Sequence, residues 1–363
     1  MATTAYGVNA NEAVKLWSRR LFAEIEKESV MADLIGTSGD SVIVAKEELS
    51  KGAGDRITCQ LRVRLTGNGV EGDSTLEGNE EALTTYTQNL LINQLRHAVR
   101  SDGEMTEQRI TWDIREQAMD GLRDWWADRM DTALINQVTG NTGQTDTRFT
   151  GHNATAAPTS ATGNTRILYG GGTHTTENSL SAGSETMSLT YIDRAVLAAK
   201  TASPQIRMAT TPWGKGYVML LHPNVLHQLA VNSAANTINL HAIQLAQIQG
   251  GSEATMQKSA VRTIGLNTPR IWRYRDTFLV EDSRVPAAPN TTTVYRNVLM
   301  GAQAAIVGFG KRYGNRRMSW KEKLFDYDNQ LGVKAGMIWG AVKAQYNSRD
   351  HATVVLSVHA PAL

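Results

Sequence analysis

One stretch limits what this chain can fold into more than any other: SDGEMTEQRITWDIREQAMDGLRDWWADRMDTALINQVTG, from Ser101 to Gly140. Ile110, Ile114, Ala118, Leu122, Trp125, Met130, Leu134 and Val138 recur at steps of three to five residues, mostly four, and form one apolar stripe on a helical period. Ser101 followed by Glu104 has the spacing of a capping box, and Asp102, Glu104 and Glu107 put negative charge where a helix dipole favours it. Gly140 supplies a stop; Gly121 inside costs about 1 kcal/mol relative to Ala. The expectation is a single helix over about residues 102–139, on the order of 50 Å long at about 1.5 Å per residue. A helix of that length acts as a spine across which other segments are laid. Its tryptophans, Trp112, Trp125 and Trp126, read as packing and interface anchors.

The second constraint is a segment that cannot bury itself. In Arg56–Leu65, Ile57, Cys59, Leu61, Val63 and Leu65 alternate with Thr58, Gln60, Arg62 and Arg64, the period of a strand with one sheltered and one wet, basic face. Then GNGVEGDSTLEGNEE, residues 67–81, offers almost no core material: four glycines, with Glu71, Asp73, Glu77, Glu80 and Glu81. Leu83 to Val99 returns to the spine. The pattern is a long hairpin-like excursion with a basic shoulder (Arg56, Arg62, Arg64) and an acidic tip.

Before the hairpin, Glu12–Leu34 reads as an amphipathic helix and Ser41–Ala45 as a short strand. After the spine, residues 139–188 are rich in Thr, Gly, Asn and Ser without clear periodicity, and are expected to form a flexible, exposed insertion. Leu189–Ala202 is helical in pattern, with Thr190 a candidate cap. GYVMLLH, residues 216–222, has the near-continuous apolar run of a central strand. Residues 240–248 are helix-like; 270–274, 277–281, the run through 295–308 and the terminal 352–359 read as strands. Helices and strands interleave irregularly, which argues α+β.

Composition and motifs exclude more than they assign. Net charge is +2, from 37 basic and 35 acidic residues, too balanced for a dedicated nucleic-acid binder. A single cysteine, Cys59, excludes an intrachain disulfide and a cysteine metal cluster. No apolar window reaches a membrane-spanning length, and no secretory signal opens the chain. Gly67-Asn-Gly69-Val-Glu-Gly72 fits the spacing of a dinucleotide loop, but acidic turn material follows where a helix is required. His222 and His227 stand five apart across a Pro, off the four-residue spacing of a helical metal pair. Asp326 and Asp328 read as turn chemistry. No nucleophile has a base partner, so no catalytic residue, cofactor or metal site is expected. Lys311, Arg312, Arg316 and Arg317 form the densest positive patch: a solvated face or subunit contact, or a contact with genome phosphates or a ring centre.

With those residues in view the chain resembles the major capsid proteins of tailed bacteriophages, specifically the N4-like major capsid family. The matching blocks are LSKGAGDRIT (49–58), GVEGD (69–73), Leu76-Glu-Gly78, Glu80-Glu81, NVLMGAQA (297–304), Asp326-Tyr-Asp-Asn329, Gly340-Ala-Val-Lys343 and Tyr346-Asn347, in order from about Leu16 to Val358. That family is similar to the Hong Kong 97-type capsid fold. The resemblance implies an N-terminal arm (1–50), an extended E-loop (51–96), a peripheral domain carrying the spine (97–190 and 325–363) and an axial domain (191–324). It implies a shell protein without enzymatic activity, assembling with itself as hexamers and pentamers into an icosahedral head around double-stranded DNA. Implied partners are a portal protein, packaged DNA through non-specific contacts, and a separate scaffolding protein or a decoration protein, with no membrane contact. The implied place is the virion capsid, assembled in the host bacterial cytoplasm. An encapsulin-like cellular compartment and a nucleotide-dependent enzyme using the Gly67–Gly72 loop are the competing expectations.

Overall fold

The computed structural model describes residues 11–47, 54–62, 65, 67–111, 113–160, 165–172, 174–181, 185–231, 271–289, 291–310 and 317–360. The expected helix at 240–248, the first ten residues of the arm, Arg64, Trp112, Lys311, Arg312 and Arg316 lie outside that set.

The chain opens with helix α1 (Asn11–Glu28), a short 3-10 turn (Ala32–Leu34), and the strands β1 (Ile35–Gly36) and β2 (Ile43–Lys46). Strands β3 (Arg56–Arg62), β4 (Thr85–Leu91) and β5 (Asn93–Arg100) follow. The expected single spine helix is two helices: α2 (Glu104–Arg109) and α3 (Ile114–Thr139). The Ser101/Glu104 pair does not cap; Gly103, at φ +138°, precedes α2, and Ile110 is extended. The cap that wins is Asp113, whose carboxylate accepts from Arg115 N at 2.7 Å, with Glu116 in the first turn. This is the same capping pattern twelve residues later. Gly140 stops α3 as expected, in the left-handed conformation at φ 66°. The 26 residues of α3 span about 39 Å at about 1.5 Å each.

The second half of the chain supplies β6 (Ile167–Tyr169), α4 (Leu189–Thr201), β7 (Ala209–Thr211), β8 (Gly214–Leu221) and α5 (Pro223–Val231). Then come β9 (Ile271–Tyr274), β10 (Thr277–Glu281), β11 (Val294–Met300), β12 (Ala305–Phe309) and β13 (Met318–Phe325). The chain closes with β14 (Gln330–Lys343), β15 (Gln345–Tyr346), β16 (Arg349–Asp350) and β17 (Thr353–His359). Ser188, not Thr190, precedes α4, without a side-chain cap.

Two sheets lie around α3. The first runs β1-β2-β12-β14-β13, with β5 also on β14; the second runs β6-β17-β11-β8-β10-β9, with β7 on β8. β8 is interior to its sheet, as its apolar run predicts. On β14, Phe309 of β12 pairs with Trp339 and Met318 of β13 with Met337, so the chain leaves and rejoins the ladder two rungs apart. The segments expected to form separate peripheral and axial domains contribute strands to both sheets: β12 and β13 hydrogen-bond to β14, and β6 and β17 to the sheet of β8 and β11. One continuous core joins them, with Leu122, Trp126, Met130, Leu134 and Val138 of α3 packed between residues such as Leu21, Val218, Leu299, Trp320, Trp339 and Val355.

Among its described residues, the expected flexible insertion at 139–188 packs parts of its length into the fold. Thr150, His152, Arg166, Leu180 and Met187 are buried, and β6 pairs in parallel with β17. Its backbone polar groups are satisfied by distant side chains. Gln137 donates to the carbonyls of Thr150 (2.6 Å) and Asn153 (2.9 Å), Asn136 to Phe149 (3.0 Å) and the Lys343 ammonium to Ala156 (2.9 Å). A polar segment can be buried when its partners are polar side chains.

Burial has a consequence for acid. It holds the His152 imidazole below its ordinary range, and holds His351 down with the help of the Arg166 and Arg207 charges. An imidazole that resists protonation only in the folded state adds stability above its unfolded pKa of about 6.5, and that stability drains away as pH falls below it. Tm of the unassembled subunit should therefore drop between pH 7.5 and 5.5, and His351→Gln should flatten the drop.

Candidate interface: the projecting hairpin

The hairpin is built from the alternation seen in the sequence. β3 and β4 pair antiparallel from Arg56↔Leu91 to Arg62↔Thr85. Ile57, Cys59 and Leu90 are buried; Arg56, Thr58 and Gln60 are exposed. The sheltered side packs with Ile92, Ile306, Ala344, Ile338, Val342 and Tyr346 in a small cluster separate from the main core. Burial pushes the Tyr346 phenol up to about 12.

Three devices fasten the root. Gln88 donates to the Lys343 carbonyl at 2.7 Å and accepts from Gln345 N at 2.9 Å. Asn153 accepts from Leu91 N and donates to the carbonyls of Leu91, Gly151 and Ala341, all at 2.9–3.0 Å. Gly308 and Gly340 pair across β12 and β14 and leave room for the hairpin: a Cβ at Gly340 would stand 2.1 Å from the Leu91 carbonyl oxygen. No local sequence pattern marks these clamps. Gly340 lies in one of the resemblance blocks, and Asn153 sits in a segment that looked like free loop.

Beyond the root the chain is bare. Every described residue of the tip from Gly67 to Leu83, except half-buried Val70, is exposed, including Glu71, Asp73, Glu77, Glu80 and Glu81. Leu65 (56%), Leu76 (60%) and Leu83 (60%) are among the most exposed large apolar residues. Internal bonds only shape the loop: Glu81 accepts from Gly67 N at 2.6 Å and Glu80 from Gly78 N at 2.7 Å. Gly69 and Gly72 sit at φ +73° and +64°, and no helix follows them, so no dipole faces an incoming phosphate.

Other candidate residues find different places. Trp126 is buried in the main core; half-buried Trp125 stacks on His97 at 4.5 Å, with the Arg129 guanidinium 5.0 Å from its ring. Arg317, expected as an outward cation, is bound within the chain. Its guanidinium pairs with Glu47 at 2.7 Å and Glu26 at 3.7 Å and lies 4.4 Å over the Phe309 ring. The strand entry at Met318 turns it toward α1. His222 stacks on Tyr295 at 3.9 Å, while His227 is exposed. The Asp326–Asp328 run is a turn of three left-handed residues. Among the described residues no group of three or more His, Cys, Asp or Glu is arranged to hold a metal, and no helix is long and apolar enough to cross a membrane.

Residues 4–361 match a family described as phage capsid protein. The major capsid protein of Pseudomonas phage KPP25 is 27% identical over 356 residues, covering 93% of this chain and 91% of that one. The capsid of Ralstonia phage GP4 superposes with a TM-score of 0.73 at 30% identity over 99% of both chains. The capsid of cyanophage Pam1 does so at 0.68 and 18% identity over 92% of each.

Proposed function

This chain belongs to the phage capsid protein family, a family of structural proteins rather than enzymes, and from that premise we propose that it is the repeating unit of an icosahedral head. In this reading it assembles as hexamers and pentamers of a Hong Kong 97-type, N4-like shell around double-stranded DNA. Residues 1–50 serve as arm, 51–96 as E-loop, 97–190 with 325–363 as the peripheral part and 191–324 as the axial part. A portal protein and non-specific DNA contacts complete the head, with a separate scaffolding or decoration protein where the shell requires one. The packing of the described residues within 139–188 makes them part of the subunit body.

The observation that carries the reading is the tip: carboxylates and three exposed leucines on a loop held rigidly at its root and uncovered beyond it. A monomer gains nothing from such a loop, whereas a neighbour can cover it. Individual exposed ion pairs are worth about 0–1 kcal/mol. Repeated around a closed shell they set register and partner choice.

Negative-stain electron microscopy of the recombinant chain, with and without co-expressed phage partners, tests the proposal. Closed shells, tubes or hexamer sheets are the expected result; a small oligomer that never assembles would overturn it. Glu71→Lys combined with Asp73→Lys should leave the subunit folded and block or misdirect assembly. Normal shells from that double variant would remove the tip from the mechanism.

A further inference from the structure

Asn68-Gly69 is the single place in the sequence where Asn is followed by Gly. A side-chain amide is a weak electrophile, and the backbone nitrogen of the next residue is placed to close a five-membered ring on it. Glycine leaves that approach open because it has no Cβ. In a folded chain the reaction still depends on geometry: the two atoms must be free to meet, and hydrogen bonds to either one hold them apart.

The structure leaves both atoms free at this pair. Asn68 and Gly69 are exposed. Neither forms a hydrogen bond with any described residue. Gly69 sits at φ +73°, and a Cβ built there would meet nothing within 4 Å. One residue earlier, Gly67 N donates to the Glu81 carboxylate at 2.6 Å, so the loop is tied just before the pair and loose at it.

Other asparagines followed by small or polar residues are held. On the same tip, Asn79 donates its side-chain amide to the Thr75 carbonyl at 2.9 Å and its backbone N–H to Leu76 at 2.9 Å. Ser179, after Asn178, donates its N–H to the Thr176 carbonyl at 3.4 Å. The Asn347 amide, ahead of Ser348, reaches the Tyr86 hydroxyl at 3.5 Å. Asn153, ahead of Ala154, is fixed by its four bonds at the hairpin root.

We propose that Asn68 is a site of spontaneous covalent modification, where the unassembled subunit deamidates without an enzyme. Gly69 N gives up its proton and attacks Asn68 Cγ. The N–Cγ bond forms, the Cγ–Nδ2 bond breaks, and Nδ2 leaves with a proton as ammonia. Water then opens the cyclic imide. Cleavage of the new N–Cγ bond gives aspartate; cleavage of the bond from Gly69 N to the Asn68 backbone carbonyl carbon gives isoaspartate, whose main chain runs through Cγ and is one methylene longer. The net change is one water consumed and one ammonia released, with no oxidant or cofactor. Either product adds a sixth carboxylate to a tip that already holds Glu71, Asp73, Glu77, Glu80 and Glu81. The new charge stands beside Gly67 and opposes its bond to Glu81. The chemistry belongs to the free subunit and stands whatever the tip docks against.

The test ages the purified, unassembled full chain at mildly alkaline pH and follows tryptic peptide 65–96 by fragment mass spectrometry. The amide-to-acid mass shift should appear at Asn68 and not at Asn79 of the same peptide. It should resolve into two products, one of them a substrate for isoaspartyl methyltransferase, and should slow as pH falls, because the attacking nitrogen must lose its proton. Asn68→Ser should abolish the shift and Gly69→Ala should remove most of it, with the Tm of both variants unchanged. A chain that keeps its Asn68 amide while a synthetic GNGVE peptide in the same tube loses its own would overturn the proposal. So would equal conversion at Asn79, which would mean that the local bonds do not select the site. Aspartate without any isoaspartate would overturn the cyclic route.

Discussion

Asp131→Ala should unfold the subunit more readily than any surface change, by about 3–5 kcal/mol in a urea titration of the unassembled chain. Asp131 lies on α3 with no exposed surface. Its carboxylate accepts from the Ser29 hydroxyl, from Val30 N at 2.9 Å and Met31 N at 3.2 Å, and pairs with Arg284 at 2.8 Å. Burial raises its pKa, opposed by Arg284, Ser29 and the two backbone donors. Removing it strands two amides and a hydroxyl and leaves Arg284 with Asp282 at 2.7 Å and a distant Asp128. Because the donors lie where α1 ends, limited proteolysis near residues 28–34 should accelerate with the loss of stability. Asp131→Asn keeps one acceptor oxygen and should fall between wild type and Ala. A change of under about 1 kcal/mol on Asp131→Ala would mean that α1 is held by its apolar contacts alone.

Gly340→Ala should damage assembly out of proportion to its size. The new Cβ would meet the Leu91 carbonyl oxygen at 2.1 Å and the Ile92 Cα at 3.2 Å, backbone that can move only if the bend between β4 and β5 moves. The same shift would pull Leu91 from its two bonds with Asn153. Overpacking of this kind costs about 1–3 kcal/mol. The larger effect is on aim, since a displaced root redirects a tip that lies many residues away. Gly308→Ala is the control: its Cβ meets the mobile ends of Leu90 and Ile57 at 2.6 and 2.7 Å. It should assemble at near-normal yield, whereas Gly340→Ala should give few or misshapen particles in negative stain. Equal yields from the two would show that the root tolerates repositioning.

Local periodicity makes the hairpin strands, the core stripe of α3 and the stop at Gly140 legible in the sequence. Each depends on residues within a few positions of one another. The start of the spine is ambiguous in the sequence because Ser101/Glu104 and Asp113/Glu116 have the same spacing, and only Asp113 caps a helix. The burial within 139–188 is not legible because hydropathy records what a segment brings and not what others bring to it; Gln137 and Lys343 bond to its carbonyls from outside. The division into sheets was hidden because β14 pairs with β5, about 240 residues earlier in the chain.

The way β12 and β13 share one edge of β14 bears on what could be grafted between them. The connection between them departs beside Trp339 and returns beside Met337, so its two ends are pinned about 7 Å apart by the ladder. Closing a longer loop between fixed ends costs little, about 0.6 kcal/mol for each doubling of length. A peptide inserted between Phe309 and Met318 would thus begin and end on strands that β14 already holds, and would recur once in every subunit.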